Sequence, residues 1–287
     1  MIYWLASYPR SGNTWCRAFL TNLERGPGHG PASINRLMAA PTPVCRDAFD
    51  NYLDVSSSEM TTEEVDLLRR EFYRGLAREV RSPLVMKLHC AYRLASDGLP
   101  VFPADVSAGV VLIVRNPLDV AISLADFLGR TMDETIDWMA SETAGLSSQK
   151  MAGGTSLPQL LTSWSGHARS WLDQQAIALH LVKYEDLVSS PNSAFGGLAA
   201  FLGLGQGADA IAEAVHHSRF EELRCQEETF GSELRPAGCD RFFRSGNVGG
   251  WRNVLSEAQW TRLIATQGEM MKRLGYDDPM FESERVL

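Results

Sequence analysis

Residues 7–15 read Ser-Tyr-Pro-Arg-Ser-Gly-Asn-Thr-Trp (SYPRSGNTW). A short apolar run with strand character, Ile2-Tyr3-Trp4-Leu5-Ala6, comes directly before them. Trp15, Phe19, Leu20 and Leu23 come after them at helical intervals. Strand, tight loop and helix in this order make an anion cradle. Ser11 and Gly12 permit a sharp turn, and Gly12 lets backbone N–H groups come close to a ligand. The positive end of the next helix favours negative charge. Arg10 adds a fixed cation, while Asn13 and Thr14 add neutral hydrogen-bonding groups. The Walker A pattern G-x-x-x-x-G-K-[ST] is absent. Alone, such a nonapeptide is also compatible with an ordinary turn and a capping Ser, so its meaning depends on the segments later in the chain.

Further strand-like runs occur at Leu84–Leu88, Val110–Val114 and Ile177–Val182, with helical patterns between them. Thr61 or Thr62 can cap a helix to about Val80. Asn116 suits an N-cap, with Pro117 at the first helical position and Asp119 in the first turn. Asp133 and Glu134 can open a helix; others are expected from about Leu157 to Gln174 and from Ser256 to near Gly275. Alternating strands and helices imply an α/β fold, a parallel sheet with helices on both faces. Its P-loop-like strand–loop–helix lies at the N-terminus, and residues 1–287 are expected to form a single domain. Ligands of such sheets sit beyond the carboxyl ends of the strands. The cradle, the stretch after 84–88 and Arg115 all fall there. Irregular stretches are expected at Arg25–Pro43, Ala144–Pro158 and about Arg224–Trp251.

The 287 residues are 45% hydrophobic and 22% charged, an ordinary globular composition. A net charge of −8 argues against broad nucleic-acid binding and requires any anion site to be a local basic pocket. The five cysteines (Cys16, Cys45, Cys90, Cys225, Cys239) are odd in number and lack zinc-ligand spacing, which implies reduced thiols in a cytoplasm. No signal-peptide pattern opens the chain, and no run reaches the roughly 18 apolar residues of a membrane span. No metal-ligand cluster and no glycosidase-like carboxylate pair is visible.

Three constellations surround the cradle. Alternation points Lys87 and His89 to one side of a strand end, either solvated or facing the cradle's ligand. Arg115 and Ser123 either cap the sheet edge and pack on the next helix or form a second anion site. The stretch Phe242-Phe243-Arg244-Ser245-Gly246-Asn247-Val248-Gly249-Gly250-Trp251-Arg252-Asn253 has the glycines and cations to wrap backbone round an anion.

Together these segments, from residue 2 to about residue 253, resemble the sulfotransferases that use 3′-phosphoadenosine 5′-phosphosulfate (PAPS). SYPRSGNTW is similar to that family's 5′-phosphosulfate loop, Y-P-K-[ST]-G-[TN]-[TN]-W. The resemblance implies that Arg10, Ser11, Gly12, Asn13 and Thr14 hold the phosphosulfate and that Trp15 stacks on adenine. Lys87-Leu88-His89 matches the family's Lys-Thr-His, implying His89 as catalytic base with Lys87 and Arg10 stabilising the leaving oxygen. RNPLDVAIS at 115–123 resembles the 3′-phosphate motif, assigning Arg115 and Ser123. Lys183-Tyr184-Glu185-Asp186-Leu187 matches a Tyr-Glu-Asp-Leu segment that brings Tyr184 to the adenine side. His217-Ser218-Arg219-Phe220 stands where a hydroxyl and an aromatic touch adenine, implicating Ser218 and Phe220. FFRSGNVGGWRN resembles R-K-G-x-x-G-D-W-[KR]-[ND], assigning Arg244, Ser245 and Gly246 to the 3′-phosphate. Arg10 replaces the more frequent Lys; Ser245 stands for Lys and Gly250 for Asp.

The implied activity is sulfuryl transfer from PAPS to a hydroxyl, or secondarily an amine, of a small-molecule acceptor, without a metal. Two other readings stay open from the residues: a nucleotide-dependent phosphotransferase, and a PAPS-binding module without catalysis. Residues 25–60 and 144–158 are expected to line the acceptor pocket. Trp164, His167 and Trp171 fall at helical spacing, and the Trp pair reads as core; His216 and His217 read as helix-end residues, and the pairs Glu221-Glu222 and Glu227-Glu228 as solvated faces.

Overall fold

The computed structural model describes residues 1–38, 43–80, 82–146, 156–235, 239 and 241–276. In chain order, β1 (Ile2–Ser7) leads into α1 (Asn13–Arg25), and α2 (Arg46–Leu53) and α3 (Thr62–Glu79) precede β2 (Leu84–Leu88). β3 (Ser107–Val114) runs into α4 (Pro117–Leu128) and α5 (Met132–Ala140). A small antiparallel pair comes next, β4 (Gly145–Leu146) with β5 (Gln159–Leu160), and then α6 (Trp164–Asp173). The remaining elements are β6 (Leu179–Lys183), α7 (Tyr184–Ser189), α8 (Pro191–Phe201), α9 (Ala208–His217), α10 (Phe220–Phe230) and α11 (Glu257–Arg273).

The main sheet is parallel throughout, in the order β2-β1-β3-β6. Period-two alternation divides each central strand between two cores. Trp4, Met86, Val110 and Leu112 face one side with Phe72 and Tyr73 of α3, Trp171 of α6 and Leu263 of α11. Leu5, Val111 and Ile113 face the other with Phe19 of α1 and Phe195 and Leu198 of α8. Both faces are therefore covered, as the near-continuous apolar strands require. With the first strand inside the sheet, the chain turns to opposite sides of β1, and the crevice this creates lies at the strands' carboxyl ends.

Helix starts obey local chemistry. Thr61, Thr131 and Ser256 each form a reciprocal capping box, with Glu64, Glu134 and Gln259. The Asn116 side chain accepts from Leu118 N, with Pro117 at the first helical position. α1 is different. Its N-cap is Gly12, at φ 106°, and no side chain caps its first turn.

Two expectations are corrected. The helix expected from Leu157 begins only at Trp164, because Thr162 at φ 61° breaks the chain and Ser163 supplies the N-cap; residues 159–160 pair as β5 instead. The irregular stretch from Arg224 starts later, since α10 continues to Phe230 and ends at Gly231, φ 72°. Residues 147–155, most of one expected loop, lie outside the described residues, as do 39–42, 81, 236–238, 240 and 277–287.

A Cβ at Gly12 would sit 2.9 Å from Tyr184 Cδ2 as well as at a φ that L-residues avoid. Gly12→Ala is therefore expected to lower unfolding stability by more than about 1 kcal/mol, measured by urea titration.

Candidate active site

The carboxyl ends of all four strands feed one cavity of about 260 Å³. From β1 and the start of α1 come Arg10, Gly12, Asn13, Thr14 and Trp15; from β2, Lys87 and His89; from β3 and α4, Arg115 and Ser123. Tyr184 comes directly after β6, Phe220 opens α10, and Arg244, Ser245 and Gly246 belong to the last loop. Fourteen of the sixteen site residues expected from the sequence thus share a common wall. Ser11 lies just behind it, buried, its hydroxyl without a hydrogen-bond partner. Ser218 does not reach it: fully buried, it donates its hydroxyl to Ala214 O at 2.8 Å, closing the end of α9. A second cavity of about 620 Å³ adjoins the first and shares Trp15, Tyr184, Phe220, Ser245 and Gly246 with it.

Cations dominate the wall, and none of the buried ones forms an ion pair among the described residues. Arg10 has a left-handed backbone (φ 68°), a strain typical of functional loops. Its guanidinium donates to Ser123 Oγ (2.9 Å) and Phe242 O (2.6 Å) and lies against the rings of Phe127 and Phe242. Burial lowers its pKa to about 10. Arg115 donates to Arg10 O (3.2 Å) and Asn247 O (2.9 Å) and lies over the Tyr184 ring. Burial, reinforced by the charge of Arg17, brings Lys87 down to about 8. Uncapped amides at the start of α1 add to this positive field. Ser11 Oγ, Asn13 Oδ1, Trp15 Nε1 and Arg115 Nε are buried and unpartnered among the described residues, so the wall holds polar capacity that the protein does not use.

His89 is held from behind. Its Nδ1–H donates to Ser7 O at 2.8 Å, with Ser7 Oγ at 3.2 Å, so Nε2 carries the lone pair. Asn13 turns its amide nitrogen to Leu5 O (2.8 Å) and the same Ser7 Oγ (3.1 Å), organising the loop from inside. Burial, and then the Lys87 charge, hold His89 well below its ordinary pKa. One face of α6 grips the main chain beyond the ring. His167 Nε2–H donates to His89 O (3.1 Å), Trp171 Nε1–H to Cys90 O (3.0 Å), and Ser170 Oγ accepts from Tyr92 N (3.0 Å). Trp171 is buried, as the core reading of the Trp pair expects, His167 is buried beside it, and their polar atoms have this additional use.

The last loop is anchored by two carboxylates that sequence reasoning did not single out for it. Glu227 is buried, not solvated, and accepts from Phe242 N (2.7 Å) and Phe243 N (2.8 Å). Asp119, read as a first-turn residue, accepts from Gly249 N (2.7 Å) and Trp251 N (3.0 Å). Tyr184 OH donates to Gly246 O at 2.8 Å. Gly246, at φ 66°, lies so close to Phe220 that a Cβ would approach its ring to 2.6 Å. Leu146, Gln159, Phe127, Leu234 and Phe242 extend the cavity wall, whereas no described residue of 25–60 lines it. The acceptor-wall expectation for that segment is corrected.

The family model for the sulfotransferase domain matches residues 3–275. The chain belongs to this family. It is a sulfotransferase, an enzyme that transfers a sulfuryl group from PAPS. Similar curated proteins include Sulfotransferase 1B1 of Mus musculus, 23% identical over 93% of this chain and 81% of that one. Cytosolic sulfotransferase 12 of Arabidopsis thaliana is 25% identical over 94% and 77%. Among solved structures, mouse sulfotransferase SULT7A1 complexed with PAP superposes with a TM-score of 0.59 at 18% identity, over 97% of this chain and 86% of that one. Retinol dehydratase in complex with androsterone and inactive cofactor PAP gives 0.58 at 18% identity, over 94% and 80%. These two likenesses establish a shared fold. No described helix is long and apolar enough to cross a membrane.

Removing the Glu227 carboxylate leaves two loop amides without an acceptor, at about 1–3 kcal/mol each when buried. Glu227→Ala is expected to speed hydrogen exchange at Phe242 and Phe243 selectively and to lower overall stability by at least about 1 kcal/mol.

Proposed function

We propose that this sulfotransferase delivers sulfur to the hydroxyl of a largely apolar small molecule, with His89 as general base. The observation that carries the reading is the Nδ1–H bond to Ser7 O, which leaves a neutral imidazole with its Nε2 lone pair on a ring lining the cavity beside Lys87. The acceptor proton passes to Nε2 as its oxygen attacks sulfur. The acceptor O–S bond forms, the bridging S–O bond breaks, and the 5′-phosphate departs with the bridging oxygen and its electron pair. The imidazolium then returns its proton to solvent. Lys87 is suited to neutralise the charge growing on the bridging oxygen, with Arg10 adding to the field once a phosphate draws it from Ser123.

The donor is proposed to lie along the uncapped start of α1. Arg10, Ser11, Gly12, Asn13 and Thr14 take its phosphosulfate end, and Trp15, Tyr184 and Phe220 its adenine. Arg115, Ser123, Arg244, Ser245 and Gly246 take the 3′-phosphate. The unpartnered Ser11, Trp15 and Arg115 atoms supply donors for it. Phe127, Leu146, Leu234 and Phe242 make the apolar acceptor wall. Residues 1–287 are proposed to work as one unit. Five unpaired thiols and the cytosolic relative support a cytoplasmic setting.

His89→Ala is expected to reduce turnover about 10²–10⁴-fold with PAP affinity near wild type. Retention of near-full turnover on a hydroxyl acceptor would assign the base elsewhere. In the intact enzyme the acid limb of kcat/KM is expected below pH 6.5, because the lowered His89 pKa keeps the base form available down to that range. Lys87 behaves oppositely: its cation is complete below about 8 and is lost above it. The dissociation constant of PAP should therefore rise with pH above about 8 and become flatter in Lys87→Met. Charge-assisted contacts are worth about 1.5–3 kcal/mol, so Arg115→Ala should weaken PAP by roughly 10–150-fold while sparing adenosine 5′-phosphate. Calorimetry with both nucleotides reads the difference; equal losses would remove Arg115 from the 3′ site.

A further inference from the structure

Two carboxamides line the cavity, and only one is occupied. Asn13 has committed its nitrogen to Leu5 O and Ser7 Oγ. Gln159 is only 8% exposed and sits on the cavity wall, and its side-chain amide has no hydrogen bond to any described residue. Neither of its amide atoms belongs to the fully buried unpartnered set that includes Ser11 Oγ and Arg115 Nε, so the amide is open to the cavity and available to whatever fills it.

The backbone on either side of Gln159 is fixed. In the β4–β5 pair it lies opposite Leu146, which shares the wall. Before it, Pro158 O accepts from Arg69, a fully buried arginine that also reaches Pro43 O and Tyr73 OH. After it, Leu160 O accepts from Ala91 N at 2.9 Å, two residues beyond His89. The amide is thus carried on a segment tied directly to the strand end that bears the base.

We propose that Gln159 determines acceptor specificity. Besides the hydroxyl that receives sulfur, the preferred acceptor carries a second neutral hydrogen-bonding group, a hydroxyl, carbonyl or amide, which pairs with the Gln159 carboxamide. The proposal rests on the reading that an apolar acceptor fills the wall of Phe127, Leu146, Leu234 and Phe242. Such a molecule strips water from the amide, and only one bearing a matching polar group restores what is lost. The side chain offers two donors and a carbonyl acceptor, so it can meet any of these groups. A site of this kind discriminates by rejecting the analogue that leaves its polar group unpaired.

The test uses matched phenols of similar acidity: 3- and 4-ethylphenol against 3- and 4-(2-hydroxyethyl)phenol. PAPS-dependent kcat/KM is measured for each with wild type and with Gln159→Met, which keeps length and flexibility but removes the amide. Affinities of the enzyme–PAP complex for the same phenols are measured by calorimetry. Wild type should favour the hydroxyethyl member of at least one pair, and Gln159→Met should reduce that ratio about two- to tenfold, with the ethyl member unchanged or improved. Gln159→Glu, which retains an acceptor oxygen, should keep part of the preference. Equal ratios in wild type and Gln159→Met, parallel losses for both members, or no binding of any phenol to the PAP complex would overturn the proposal. Absence of sulfuryl transfer to any phenol by wild type, with selective binding in the PAP complex intact, would count against the proposed acceptor chemistry and leave the Gln159 assignment standing.

Discussion

Buried positive charge without a matching carboxylate is the constraint around which this molecule is arranged. Arg10, Lys87 and Arg115 meet at the carboxyl edge of a parallel sheet, where helix α1 adds its own uncapped amides. Elsewhere the fully buried Arg69 and the half-buried Arg93 both reach the carboxylate of Asp66. At the sheet edge the guanidinium groups meet main-chain carbonyls, a serine hydroxyl and aromatic faces instead. Those partners are weak beside a phosphate or phosphosulfate, so the site is arranged to exchange them. The acidic chain as a whole does not contradict this, since the field that matters is local.

The doubly covered sheet makes that arrangement possible. With both faces occupied by helices, polar groups brought in by the strands can collect only at the ends. The single switch in strand order puts the widest gap beside β1, so the tight loop after Ser7 faces the segments leaving β2, β3 and β6. The Ser7 residue then serves two roles at once: its carbonyl fixes the tautomer of His89, and its hydroxyl joins Asn13 to the same network.

Much of this was readable from local pattern. The strand–loop–helix, the Asn116-Pro117 start and the capping-box starts of three helices are written in neighbouring residues, and the structure reproduces them. What escaped depends on distance along the chain. Glu227 and Asp119 hold amides 15 and 130 residues away, and nothing in their immediate surroundings separates them from surface acids. Arg10 was legible as a cation but not in its direction, which is set by Ser123 and Phe242 from other segments. Ser218 was legible as a hydroxyl near a helix end, but not its burial behind the cavity wall, where it donates to Ala214 O of its own helix. Gln159 carried no motif at all; its position emerges only when β5 folds against β4.

The main chain from His89 to Tyr92 leaves the sheet at an edge, where β5 gives it a single backbone bond, from Ala91 N to Leu160 O. Helix α6 satisfies three of the other main-chain groups with side chains, each specific to its residue: an imidazole, an indole and a hydroxyl. A strand partner would tolerate almost any sequence, because it bonds through backbone alone. A row of side chains does not. In this protein the freedom of sequence drift normally enjoyed by a helix buried against a sheet is therefore withdrawn at positions 167, 170 and 171. There, a substitution that preserves apolar volume still removes a donor or acceptor from the backbone that carries the imidazole of His89.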